Sequence, residues 1–171
     1  MNELVFGVWE GKVIDPTNGG AALLSQIDKL GEYEPGNPIR ALMGWDGFLL
    51  FAEPRGQGGG ESIDLVDMAR AYMAMTQGEA CGKCVPGRMG TKVAADILAR
   101  IADGRGEEAD IQTLRNVGEL VRAGSMCELC HTSMNGVLAM LDRYEEVFRQ
   151  AITDGERRPR RRYHTKVTAP C

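Results

Sequence analysis

The sequence predicts a mainly α protein: a four-helix bundle preceded by a small mixed, irregular, β-containing N-terminal region. Three observations carry that expectation. Apolar residues recur with a period of about 3.6 in four segments after Ser62. Before Gly60 they come in short runs broken by glycine and proline. A length of 171 residues, 43% hydrophobic and 26% charged, suits one ordinary globular domain with a small appendage.

Residues 4–14 (LVFGVWEGKVI) and 39–52 (IRALMGWDGFLLFA) read as short strands and turns, punctuated by Asp15-Pro16 and Pro35-Gly36-Asn37-Pro38. A short helix is expected between them, over residues 21–30. Residues 55–60 (RGQGGG) have the composition of a hinge, which closes the N-terminal region at residues 1–60. Ser62 is a helix cap by residue type, and Ile63, Val66, Ala69 and Met73 then form one face. Residues 89–102 repeat the pattern with Val93, Ile97 and Ile101, and residues 110–123 with Ile111, Leu114, Val117 and Val121. The clearest stripe spans residues 133–151: Met134, Val137, Leu138, Leu141, Tyr144 and Phe148. Gly78, Gly104, Gly106 and Gly124 stand where such helices stop. Residues 61–152 are thus expected as the helical domain and 153–171 as a basic C-terminal tail.

The net charge is −4 and unevenly spread. Residues 156–171 hold Arg157, Arg158, Arg160, Arg161, Arg162 and Lys166 against Glu156 alone, so the acidic surplus lies in the body. An acidic body is a poor surface for phosphates, and nucleic acid is not an expected partner. The tail suits an acidic partner subunit or surface, or simply solvent. No apolar run approaches the roughly 18 residues of a membrane span, and no basic-then-apolar leader opens the chain. A cytoplasmic protein without a transmembrane segment is expected.

Five cysteines are the most informative count. Cys81 and Cys84 form one C-x-x-C pair, Cys127 and Cys130 another, and Cys171 stands apart. An odd total without an export signal disfavours a disulfide framework. Both pairs fall in expected connections between helices. The first-to-second and third-to-fourth connections of an up-down bundle share one end, so the four thiols are expected to converge there. Four thiolates suit a [4Fe–4S] or [2Fe–2S] cluster, and equally structural zinc. A catalytic dithiol at Cys81–Cys84, or plain buried cysteines, remain open on these grounds. His131, beside Cys130, is either an ordinary polar residue near a helix start or a group that replaces or hydrogen-bonds a thiolate. The paired acids Glu145 and Glu146 read as a solvated face.

Residues 79–91, EACGKCVPGRMGT, resemble the cluster-binding motif of the NADH-binding flavoprotein subunit of respiratory complex I. The diaphorase subunits of NAD-linked formate dehydrogenases and hydrogenases share that motif. Cys81, Gly82, Lys83, Cys84, Pro86, Arg88, Gly90 and Thr91 stand at matching positions. The likeness runs on through ILARIADGRGEEADIQTLRNVGELV to GSMCELC, where Cys127 takes the place of the distant fourth ligand. It covers residues 62–150 and implies a four-helix domain holding a [4Fe–4S] cluster that passes electrons onward from flavin. One position departs from the family. Gly87 stands where the family has a third cysteine, and Cys130 where it has a non-ligand. One ligand has moved from the first loop to the second, which leaves a [2Fe–2S] cluster or zinc as alternatives to [4Fe–4S].

The resemblance implies an electron-transfer subunit or domain, with Cys81, Cys84, Cys127 and Cys130 as ligands. It also implies a flavoprotein and other redox subunits as partners, and no substrate chemistry in this chain alone. The alternative is a zinc-stabilised structural or interaction module without redox activity. In the family, flavin and nicotinamide occupy a large preceding domain, for which the segment before Cys81 is too short. Residues 55–62 (RGQGGGES) have the composition of a phosphate-cradling loop without its strand-then-helix context. Residues 163–171, YHTKVTAPC, resemble the linker into the cysteine-rich N-terminal region of glutamate-synthase small-subunit-like flavoproteins. By that likeness Cys171 is the first ligand of another cluster; otherwise it is a free terminal thiol.

Overall fold

The computed structural model describes residues 4–17, 40–55, 62–155 and the backbone of 165–167. The helix expected over residues 21–30, most of the glycine-rich hinge and Cys171 lie outside them. Strands β1 (Phe6–Trp9), β2 (Lys12–Ile14), β3 (Ala41–Gly44) and β4 (Gly47–Leu50) form an antiparallel sheet. A short parallel pair follows, β5 (Glu53–Pro54) with β6 (Ser62–Ile63). Then come α1 (Leu65–Glu79), α2 (Thr91–Ala102), α3 (Glu108–Gly124) and α4 (Glu128–Asp154). Strand β7 (Thr165–Val167) closes the main sheet, whose order is β2-β1-β4-β3-β7, with β3 and β7 parallel.

Local chemistry accounts for the sheet. Glu10 and Gly11 both have positive φ (49° and 73°), and this two-residue turn matches the strand twist and joins β1 to β2. Gly47 opens β4 at φ 142°, and a Cβ there would stand 1.8 Å from the Val8 carbonyl oxygen, so only glycine fits. The strands alternate faces although nearly every residue is apolar. Phe6, Val8, Met43, Phe48 and Leu50 join the main core, while Trp9, Ile14, Leu42, Leu49 and Phe51 form a second buried cluster. The first face meets the helices through aromatic edges: Phe6 on Tyr144 at 5.4 Å and Phe48 on Tyr72 at 5.7 Å between ring centroids.

The four expected helices are present, with shifted starts. Asp64, not Ser62, caps α1: its carboxylate accepts the Asp67 N–H at 3.2 Å, while Ser62 is paired in β6. A wide, π-type helical turn (Pro86–Gly90) precedes α2, beginning with proline, which fixes φ where no N–H bond is required. Helix α4 begins five residues before the apolar stripe does, at Glu128, and its backbone departs from helical angles at Tyr144. Helices α1 and α4 bear the sheet, and α2 and α3 complete the bundle around Leu98, Ile101, Leu114, Val137 and Phe148. Each such fully buried side chain contributes about 1.5–3 kcal/mol. Arg100 holds Asp110 across α2 and α3 through two hydrogen bonds, and Asp110 also accepts the Glu107 N–H at 2.8 Å. Burial opposes ionisation of Asp110, yet these bonds keep its carboxyl below the ordinary range. Glu145 is engaged by Arg115 and Arg149, in keeping with a surface role for that acid.

Candidate metal centre

The first thiol pair lies on the segment between α1 and the π-type turn. The Ala80 N–H donates to Thr76 O at 2.9 Å and ends α1, after which the chain runs without regular structure to Cys84. Cys81 is exposed and Cys84 half-buried. Gly82 takes a left-handed conformation (φ 69°), and its carbonyl accepts a 3.0 Å bond from Arg88 Nη1, which closes the loop on itself. The Arg88 N–H donates to Cys84 O at 2.9 Å and Thr91 Oγ1 to Gly87 O at 2.6 Å, so the turn carrying residue 87 is fastened at both ends.

The second pair stands where α3 hands over to α4. Ser125 is tied back to α3, its N–H at 2.9 Å and its hydroxyl at 2.6 Å from Val121 O. Cys127 is the residue that caps α4, and Cys130 lies within the first turn of that helix. This corrects the expectation that both pairs sit in connections: Cys130 is helical and buried, while Cys127 is half-buried. The sulfurs of Cys127 and Cys130 are 3.3 Å apart.

The loops meet at Cys84 and Gly87. The Met126 N–H points at Cys84 Sγ at 3.5 Å, across 42 residues of chain. A Cβ built on Gly87 would stand 2.8 Å from Cys84 Sγ, 3.2 Å from Cys130 Sγ and 3.8 Å from Ser125 Cβ. Gly87 is therefore packed directly against one sulfur from each loop, with no room for a side chain. Cys81 is the outlier, exposed on the rim. Among the described residues no three His, Cys, Asp or Glu side chains already stand at coordinating distance round one point. The four thiols are gathered at one end of the bundle rather than closed into a shell.

Electrostatics separates the thiols. The N–H of Met126, then that of Gly87, holds Cys84 below the ordinary thiol value against the opposing effect of burial, with Arg88 adding to the lowering. Burial, and then the neighbouring thiols of Cys127, Cys84 and Cys81, push Cys130 up to about 12. Thiols from two loops brought together, with backbone N–H groups aimed at Cys84, are a donor set suited to a cation-rich centre, whose binding expels the protons. His131 neither faces a sulfur nor stands idle: its Nε2 lies 2.6 Å from Ser125 O. That contact, the Met126 N–H and the close approach of both loops at Gly87 have no local signature in sequence, because each depends on how the loops fold together.

Residues 67–151 match the model of the NADH-ubiquinone oxidoreductase-F iron–sulfur binding region. The chain is 40% identical to the NADP(+)-dependent formate dehydrogenase subunit beta of Moorella thermoacetica over 93% of its length, and covers 22% of that protein. It is 36% identical over its full length to the NADPH-Fe(3+) oxidoreductase subunit beta of Geobacter sulfurreducens, of which it covers 24%. It thus spans about a quarter of the length of these relatives. An NAD+-reducing [NiFe]-hydrogenase, solved in the H2-reduced state, has a chain that aligns with 53% of this one at a TM-score of 0.50 and 24% identity. The likeness covers 16% of that chain and concerns the fold.

Proposed function

Because residues 67–151 belong to the NADH-ubiquinone oxidoreductase-F iron–sulfur binding family, we propose that Cys81, Cys84, Cys127 and Cys130 hold one [4Fe–4S] cluster in this chain. The bundle then relays electrons between a flavin and NAD(P)H module and another redox centre of a larger cytoplasmic oxidoreductase. The names of the two relatives favour NADP(H) over NAD(H) as the nucleotide of that complex. Among the described residues no helix is long and apolar enough to cross a membrane.

One observation carries the reading. Gly87 lies directly against the sulfurs of both Cys84 and Cys130. The thiol that the family motif brings from residue 87 is supplied here by Cys130, reaching the same point from the start of α4. A cluster of this kind supplies one-electron transfer without proton or substrate chemistry. The residues of the chain do the rest. The Met126 and Gly87 N–H groups favour the Cys84 thiolate. The fastened turn and the tied-back Ser125 keep the two loops in register. Buried Cys130 brings one ligand into a region of low dielectric, while Cys81 is exposed to solvent.

The test is iron, zinc and acid-labile sulfide per chain in protein purified without oxygen, for the wild type and for Cys130→Ser. About four iron and four sulfide in the wild type, with loss in the variant, is the expected result. One zinc without sulfide, or a variant with undiminished iron, would overturn the assignment.

A further inference from the structure

The peptide joining Ser125 to Met126 is gripped on both sides. Its carbonyl oxygen is 2.6 Å from His131 Nε2, and its N–H, the amide of Met126, points at Cys84 Sγ at 3.5 Å. A carbonyl only accepts, so His131 Nε2 is the donor. These two bonds use the opposite ends of one rigid unit. A peptide group is planar, and in the trans form found throughout the described residues its C=O and N–H point in opposite directions. Whatever fixes the direction of the Ser125 carbonyl therefore fixes the direction of the Met126 N–H.

Among the described residues no other hydrogen bond holds that carbonyl. The bonds from Ser125 to Val121 O come from its own N–H and hydroxyl, which belong to the preceding peptide and the side chain. They leave rotation about the following bond free. Met126 itself is 85% exposed, so its side chain does not anchor the loop. His131 is half-buried in the second turn of α4, a rigid support.

We propose that His131 is a positioning residue for the metal centre: by donating to the Ser125 carbonyl it aims the Met126 N–H at Cys84 Sγ and so sets the electron density on that sulfur. The inference rests on Cys84 being a cluster ligand, as argued above. An N–H aimed at a ligand sulfur stabilises the more negative, reduced state of a centre, and a donating partner on the same peptide strengthens that bond by polarisation. Removing the His131 donor thus lowers the reduction potential without removing a ligand.

The experiment uses the full chain with His131→Leu, which has no donor, and His131→Gln, whose amide can donate over a similar reach. Two readouts are taken: the midpoint potential of the loaded protein, and hydrogen exchange at the Met126 amide in metal-free protein. The expected result is a downward shift of potential in H131L with iron and sulfide content retained, and Met126 exchange about two- to tenfold faster. H131Q should lie near the wild type in both. Unchanged potential and exchange in H131L would overturn the proposal, as would an H131Q variant as perturbed as H131L. If the wild type holds no iron and sulfide, the ligand assignment fails instead, and Met126 exchange still reports on the peptide.

Discussion

Replacing Gly87 by alanine tests the geometry of the centre most directly. The new Cβ would stand 2.8 Å from Cys84 Sγ and 3.2 Å from Cys130 Sγ. Non-bonded heavy atoms settle at about 3.5–4.0 Å, so the overlap at Cys84 is roughly 0.7 Å or more. The backbone cannot yield easily, since the turn is held by Thr91 Oγ1 on Gly87 O and by the Arg88 N–H on Cys84 O. The cheaper relief is to turn the Cys84 side chain, at about 0.5–1.5 kcal/mol for leaving its rotamer. That movement also takes Cys84 Sγ off the Met126 N–H, a bond worth about 0.5–1.5 kcal/mol. Together these give about 1–3 kcal/mol, the usual range for overpacking. Urea unfolding of the metal-free Gly87→Ala protein should show that loss, and iron and sulfide content should fall well below the wild-type value. The double variant Gly87→Cys with Cys130→Ala returns the thiol to the turn and removes the Cys130 sulfur but not the overlap at Cys84, so it should hold more iron and sulfide than Gly87→Ala without reaching the wild-type value. A Gly87→Ala protein with unaltered stability and full metal content would refute the argument, because Gly87 would then not be packed against the two sulfurs.

Other consequences are as specific. Asp110→Asn should cost about 1–3 kcal/mol at neutral pH by weakening the paired bonds to Arg100. The folded-state pKa of Asp110 is depressed, so its contribution is present above the unfolded value of about 3.9 and fades as pH falls through the lower folded value. Wild type and variant should therefore draw together in stability as pH falls from about 4 and converge only below the folded-state value, as urea titrations at several pH values would show. Phe48→Ala removes a fully buried ring that touches Phe6 and Tyr72, with an expected loss of about 3–5 kcal/mol by thermal or urea unfolding. In metal-free protein, iodoacetamide followed by peptide mass mapping should label exposed Cys81 well before buried Cys130. Rapid labelling of Cys130 would contradict its placement.

The four helices were legible because each carries an apolar stripe: Ile97 and Ile101 on α2, Leu114 and Val121 on α3, and Met134 to Phe148 on α4 all entered the core. Their beginnings were less legible, for a physical reason. At the start of α4 it is Cys130, with Cys127 at its edge, that meets the core, and two thiols beside the other thiol loop do not read as an apolar stripe. The periodicity of α4 therefore starts only at Met134, and Cys127 is not among the usual capping residues. Ser62 and Asp64 are both good caps, and the choice fell to Asp64 because β6 had already engaged Ser62. Convergence of the thiol pairs followed from counting helices. The orientation of the Ser125–Met126 peptide did not, since it depends on a histidine one helical turn beyond the loop that it holds.

The pairing of β3 with β7 bears on how the chain is made. The turns within the antiparallel sheet can close as soon as a few residues have emerged, but β3 and β7 are roughly 120 residues apart, with the whole bundle between them. Until Thr165–Val167 arrive, the Ala41–Gly44 strand has an unpaired flank of amide and carbonyl groups in an apolar setting, a template for another copy. The helices can therefore be synthesised and packed while the sheet is still open to misassembly. Cutting the chain just after α4, a natural boundary for expressing the bundle alone, would make that transient hazard permanent.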